Sequence, residues 1–171
     1  MLHIFDFDGT LADTDAYWND LADVCLDQMG IAKILHRKEA LYPMSLAQSA
    51  AYFEDLYDIS AADFRKILKE ELALRYKNAE PIGKYLSMAK ELAEKGETCC
   101  VATAGIAELA REVLKRFGAE SYFLFITDAD EIGCAKGDAA FFKKVMAKTG
   151  DNEARVYDSA YTGGFMDILQ N

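Results

Sequence analysis

Nine residues near the start, Leu2 to Thr10 (LHIFDFDGT), constrain this chain more than any other stretch. An apolar run of Leu2, Ile4, Phe5 and Phe7, with His3 inside it, delivers Asp6 and Asp8 to a point where Gly9 and Thr10 turn the chain. A short apolar run bounded by a turn signal reads as a buried strand. The carboxyl end of a strand in an open α/β sheet is where ligands usually bind. Strand periodicity puts Asp6 and Asp8, two apart, on one face, close enough to share a metal ion or to divide nucleophilic and acid/base work between them. Gly9 lets the backbone approach a ligand closely or adopt positive φ. The plainer alternative is an Asp-Gly turn in which Asp8 bonds its own backbone. The second Asp, the apolar lead-in and Thr10 favour a site.

After this strand, Thr14 or Asp15 is placed to cap a helix from about Ala16 to Met29, with Trp18, Leu21, Cys25 and Met29 at helical spacing and Gly30 as the stop. A second helix is expected from about Ala32 to Leu41, before Pro43. Ser45 and Gln48 form a capping-box pattern ahead of Leu46, Ala50, Phe53 and Tyr57. Ser60 with Asp63 opens a further helix that carries Phe64, Leu68, Leu72 and Tyr76 on one stripe. Consecutive helices with short connections make a small bundle, and these stripes are core.

From Pro81 the pattern becomes alternating helix and strand. A helix marked by Ile82, Leu86, Ala89 and Ala93 stops at Gly96, a strand runs from Thr98 to Ala102 into Thr103, and Thr103-Ala104-Gly105 is a strand-to-helix turn. A helix from Ile106 to Phe117 follows, then a strand from Tyr122 to Ile126, a helix from about Asp138 to Lys148, and a last short strand from Ala154 to Tyr157 that arrives at Asp158. Such alternation implies a parallel sheet with right-handed crossovers. Asp6, Asp8, Thr103 and Asp158 then all lie at strand carboxyl ends, on one edge of the sheet.

Composition narrows the partners. The 171 residues, 51% apolar and 12% aromatic, suit one globular domain with room for a small inserted subdomain. A formal charge of −10 disfavours nucleic acid and anionic membrane surfaces as main partners. It suits carboxylates gathered around a divalent cation as well as a solvated acidic surface. Cys25, Cys99, Cys100 and Cys134 show no metal-ligand spacing and read as reduced, mostly buried thiols. With neither a signal-peptide pattern nor an apolar run of membrane-spanning length, the expectation is a soluble cytoplasmic protein.

FDFDGTLADTD resembles the first motif, DxDGT, of the haloacid dehalogenase-like hydrolase superfamily. The resemblance implies that Asp6 is a nucleophile and Asp8 a general acid/base. CCVATAG is similar to the second motif, an apolar strand ending in a phosphate-binding Thr or Ser, which points to Thr103 with the backbone at Ala104. AKGDAAFF offers Lys136 as the third-motif lysine that neutralises nucleophile and phosphate, although Gly137 and Ala139 stand where that motif has prolines. In VYDSAYTGG, Asp158 matches one acid of the fourth motif, while Tyr157 and Thr162 occupy the other acidic positions. By resemblance the metal contacts are Asp6, the main-chain carbonyl of Asp8, and Asp158, with Mg²⁺ as the ion.

The family resemblance implies an α/β fold: a Rossmann-like parallel sheet with helices on both faces and a small inserted α-helical bundle as a C1-type cap. It is nearest to the phosphoglycolate phosphatase and β-phosphoglucomutase branches. The division expected is a core of residues 1–13 and 81–171 and a cap of residues 14–80. Because the chain stops at Asn171, where the family continues with another strand and helix, the sheet is expected to be short of its last strand. The implied activity is Mg²⁺-dependent hydrolysis of a small phosphorylated metabolite by a monomer or weak homodimer. The alternatives are a sugar phosphomutase, disfavoured because Pro43-Met44-Ser45-Leu46 holds no arginine, and a non-catalytic binding protein on a decayed hydrolase scaffold. Asp8 argues for phosphoryl transfer over halide displacement, since the family's dehalogenases lack this residue.

Overall fold

The computed structural model describes residues 1–32, 40–41 and 44–169. Five strands form one sheet in the order β3-β2-β1-β4-β5: β1 (Leu2–Phe5), β2 (Thr98–Thr103), β3 (Ile126–Asp128), β4 (Glu153–Tyr157) and β5 (Phe165–Leu169). The first four are parallel to their neighbours, and β5 returns antiparallel along β4. β1 is central because it is apolar on both faces. Leu2 and Ile4 pack with Cys100, Ala102 and Val156 on one side, and Phe5 packs with Cys99, Val101 and Tyr157 on the other. The adjacent Cys99 and Cys100 therefore point to opposite faces, and all four cysteines are free thiols.

Helices α4 (Gly83–Glu94), α5 (Ala107–Arg116), α6 (Ala129–Ile132) and α7 (Phe141–Ala147) cover the two faces. Between β1 and α4 lie α1 (Leu21–Gln28), α2 (Leu46–Tyr57) and α3 (Ala61–Tyr76), with α1 and α2 both packed on α3. The expected stripe of Phe64, Leu68, Leu72 and Tyr76 is buried, and the capping box of Ser45 with Gln48 is formed on both sides. Ser60 accepts from the Asp63 N–H. The two connections of this insert lie against each other. Asp13 N–H donates to the Glu80 carbonyl at 2.9 Å, and Ile82 N–H donates to the Leu11 carbonyl at 3.0 Å. None of the helices, among the described residues, is long and apolar enough to cross a membrane.

Three expectations meet a different outcome, and a fourth lies largely outside the described residues. The first helix begins at Leu21, not near Ala16, because Asp15–Trp18 form a single 3-10 turn and the Thr14 hydroxyl is committed to Asp8 rather than to a cap. The helix expected over Ala32 to Leu41 falls largely outside the described residues, as does Pro43. β3 occupies Ile126–Asp128, displaced from Tyr122 to Ile126, where Glu120–Tyr122 form a 3-10 turn instead. Its polar end is buried because Thr127 donates to Glu131 and Asp128 accepts the Ala107 and Glu131 N–H groups, which makes strand out of what reads as loop. The sheet is not short of a fifth strand: Gly163 and Gly164, both at positive φ, turn the chain back so that β5 pairs antiparallel with β4.

Candidate active site

Asp6 and Asp8 leave the end of β1, Thr103 ends β2 and Asp158 follows β4, so the four meet at one edge of the sheet as expected. Thr10 fastens two of these loops together, its hydroxyl accepting the Ser159 N–H at 3.0 Å. The Lys136 ammonium lies 2.8 Å from Asp6 Oδ1 and 3.0 Å from Asp158 Oδ2. Burial pushes the Asp6 carboxyl up to about 7, against the pull of Lys136 and with a further push from Asp158. Asp158 responds oppositely. Burial works against its charge, but Lys136 and the Ala160 N–H, 2.9 Å from Oδ1, outweigh that and hold it below the usual carboxylate range. Burial likewise opposes the Lys136 charge, and the two carboxylates overcome it and raise its pKa.

Asp8 is anchored differently. The hydroxyls of Thr14 and Tyr76 both donate to its Oδ1, each at 2.6 Å. Burial raises its pKa, the two hydroxyls oppose that shift, and Asp15 adds to it. Tyr76, buried and facing a carboxylate, is held well above the ordinary phenol range. The Asp15 carboxylate in turn fills the space over Gly9: a Cβ built there would fall 2.2 Å from Asp15 Oδ2, at a φ of +73°. Only glycine fits both the backbone and the neighbour.

Thr103 is buried, and its hydroxyl accepts the Gly105 N–H at 2.9 Å, which closes the Thr103-Ala104-Gly105 turn; Ala104 itself is exposed. Gly105 approaches Trp18, Asp8 and Thr103 closely. A Cβ there would lie 3.0 Å from Trp18 Cζ2, 3.2 Å from Asp8 Oδ2 and 3.3 Å from Thr103 Oγ1. Trp18 Nε1 is buried beside this junction, and its N–H favours the charged forms of Asp8 and Tyr76, against the burial that raises the pKa of each. A cavity of about 490 Å³ whose lining includes Gly105 separates α3 from α5 and α6, with Phe64, Arg65 and Lys69 on one wall and Ile106, Glu108 and Asp130 on the other. Arg65 reaches Asp130 at 2.7 Å and Lys69 reaches Glu108 at 2.5 Å, so ion pairs span it.

Tyr157, in one of the family's acidic positions, turns away from the site. Its ring stacks on Phe5 at 4.5 Å and its hydroxyl meets His3 Nδ1 at 3.0 Å. Among the described residues no three His, Cys, Asp or Glu side chains converge as a metal cluster. The oxygen donors that do converge are the carboxylates of Asp6 and Asp158, brought to a common point by Lys136. Sequence reasoning assigned no site role to Tyr76, Trp18 or Thr14. The helical spacing of Tyr76 and Trp18 signalled only core, and Thr14 signalled only a cap.

Residues 3–157 match the family model described as haloacid dehalogenase-like hydrolase. No curated protein matches the chain. Among solved structures it is similar to a CbbY variant from Rhodobacter sphaeroides in complex with xylulose-(1,5)bisphosphate, at a TM-score of 0.75 and 19% identity over 91% of this chain and 76% of that one. It is also similar to a candidate β-phosphoglucomutase from Thermotoga maritima, with TM-score 0.59, 19% identity, and 91% and 74% of the two chains covered. A haloacid dehalogenase-like family hydrolase from Streptococcus pneumoniae gives TM-score 0.59 and 15% identity over 88% of this chain and 70% of that one. At these identities the likeness to solved structures is one of fold.

Proposed function

The chain belongs to the haloacid dehalogenase-like hydrolase family, and from that premise we propose that it is a Mg²⁺-dependent phosphatase that hydrolyses a small phosphorylated metabolite through a phosphoaspartate at Asp6. The observation that carries this reading is the Asp6–Lys136–Asp158 chain beside a separately anchored Asp8. A phosphate monoester dianion repels a carboxylate nucleophile unless cations screen it. Lys136 supplies one positive charge, shared between the carboxylates of Asp6 and Asp158. Hard oxygen donors suit Mg²⁺, which commonly keeps several waters. Asp6, Asp158 and the main-chain carbonyl of Asp8 would hold it. When bound, the ion would neutralise charge between nucleophile and phosphoryl oxygens.

In this reading Asp6 attacks phosphorus in line, Asp8 protonates the leaving alkoxide, and the same Asp8 later takes a proton from the water that releases phosphate. Lys136 and the Thr103-Ala104-Gly105 turn hold the phosphoryl oxygens. Residues 14–80 serve as a cap whose α3 walls the 490 Å³ cavity, and the substrate's leaving group occupies that space. The mutase alternative needs a grip on a second phosphate, and the sequence at 43–46 has no arginine to provide it. The retention of Asp6, Asp8, Thr103 and Lys136 together speaks against a non-catalytic scaffold. A screen of phosphorylated metabolites with and without Mg²⁺ tests the proposal: release of phosphate from at least one monoester, only with the ion, is expected. Phosphate release from none would overturn it.

A further inference from the structure

Tyr76 is the last residue of α3, and the chain that follows it is clamped to the core. Arg116 of α5 donates to the carbonyls of Tyr76 at 3.1 Å, Lys77 at 2.9 Å and Ala79 at 2.7 Å. The Tyr76 ring lies 5.6 Å from Phe7 and 6.4 Å from Tyr17 between centroids, so it is fixed on both sides. Its hydroxyl, a donor of one proton, meets Asp8 Oδ1 at 2.6 Å, and the Thr14 hydroxyl meets the same oxygen at the same distance.

Two O–H donors on one carboxylate oxygen occupy the lone pairs that a proton would need. The other oxygen, Oδ2, lies toward Gly105 and Thr103, at the turn where the phosphoryl group is bound in the proposed function. We propose that Tyr76 is a positioning residue that fixes the Asp8 carboxyl so that its transferable proton sits on Oδ2, aimed at the ester oxygen. This rests on the phosphatase reading. In the step concerned, the Asp6 oxygen–phosphorus bond forms as the phosphorus–bridging oxygen bond breaks. The bridging oxygen takes that electron pair and the proton from Asp8 Oδ2, which leaves Asp8 as the carboxylate. Without the Tyr76 hydroxyl only Thr14 remains on Oδ1, so one lone pair there opens to the proton and the carboxyl is held by a single donor.

The test is Tyr76→Phe, which keeps the ring packing and deletes the donor, assayed with Mg²⁺ on p-nitrophenyl phosphate and on a simple alkyl phosphate. An activated aryl leaving group departs with little help from an acid, whereas an alkoxide does not. General acid catalysis contributes roughly 10²- to 10⁴-fold, and the variant is expected to lose about 10- to 100-fold in kcat on the alkyl ester. On the aryl ester the loss is below about threefold, and KM changes little on either, since Tyr76 grips no phosphate oxygen. Equal losses on both esters, or no loss on either, would overturn the role of Tyr76 while leaving the phosphatase reading intact. A wild type inactive on both and on every phosphorylated metabolite of the screen would overturn the two together. Should Tyr76→Phe not fold, Arg116→Gln loosens the clamp on the same turn and is read by the same ratio, with an unchanged ratio counting against the proposal.

Discussion

The Lys136 ammonium stands 2.8 Å from the Asp6 carboxylate, joining a turn beyond α6 to the end of the central strand. Asp158 at 3.0 Å makes the contact a bridge between two buried acids. Removing one partner of a buried ion pair typically costs about 3–5 kcal/mol, because the remaining charge is uncompensated. Lys136→Met is therefore expected to destabilise the fold strongly at neutral pH and to lower kcat by about 10²- to 10³-fold. Denaturant unfolding of Lys136→Met and of Lys136→Met with Asp158→Asn checks this: the second change should restore part of the lost stability. Additive losses would mean that the two residues do not share one charge balance.

Away from the site, His3 gives a pH prediction. Burial holds its pKa below the ordinary value, while Glu97 pulls in the opposite direction. The unfolded chain therefore binds a proton near pH 6.5 that the folded chain accepts only at lower pH. His3 thus makes stability fall as pH drops below the unfolded value, with full stability above it. Each unit of separation is worth about 1.4 kcal/mol. His3→Gln should flatten the decline in unfolding free energy between pH 7 and 5. A decline of unchanged slope would show that His3 is not its source.

The metal prediction follows from the side chain of Tyr157. Because that ring packs against Phe5 and His3 on the far side of the strand, an acid placed there would not reach the donors at Asp6 and Asp158. In calorimetric titrations the wild type is expected to bind Mg²⁺ weakly and Asp158→Ala not at all. Tyr157→Asp should gain no affinity and lose at least about 3 kcal/mol of stability, from the lost ring and the buried charge. Equal binding by wild type and Asp158→Ala would remove Asp158 from the ligand set. Tighter binding by Tyr157→Asp would mean that the strand can present this position to the ion.

The parts of the fold that were legible in the sequence are those in which local pattern and burial agree. β1 is apolar except for His3 and is buried, and α3 buries every fourth residue from Phe64 to Tyr76. Asp6, Asp8, Thr103 and Asp158 were singled out because each follows or ends a strand, and Lys136 only through the resemblance to the family's third motif; the fold brings Lys136 between Asp6 and Asp158. β3 and Thr14 were read wrongly for one reason: Thr127, Asp128 and Thr14 are polar residues buried by hydrogen bonds to other polar groups, and apolar periodicity carries no information about those. β5 escaped because its side chains are mostly exposed, so no alternation marks it. Tyr76 was assigned to the core, and it is core by its ring. Its hydroxyl donates to Asp8, a bond that spacing could not reveal, since Asp8 is 68 residues away in sequence.

The central claim is that Asp6 is the atom source of the covalent bond to phosphorus. Asp6→Asn keeps the shape of the side chain and a far poorer nucleophile in its place. The measurement is phosphate release from the best monoester of the screen by wild type and by Asp6→Asn at equal concentration with Mg²⁺, alongside mass spectrometry of acid-quenched protein. The account predicts turnover and an acid-trapped phosphoryl group on Asp6 in the wild type, and neither in a variant that unfolds as cooperatively as the wild type. Substantial turnover by folded Asp6→Asn would contradict it.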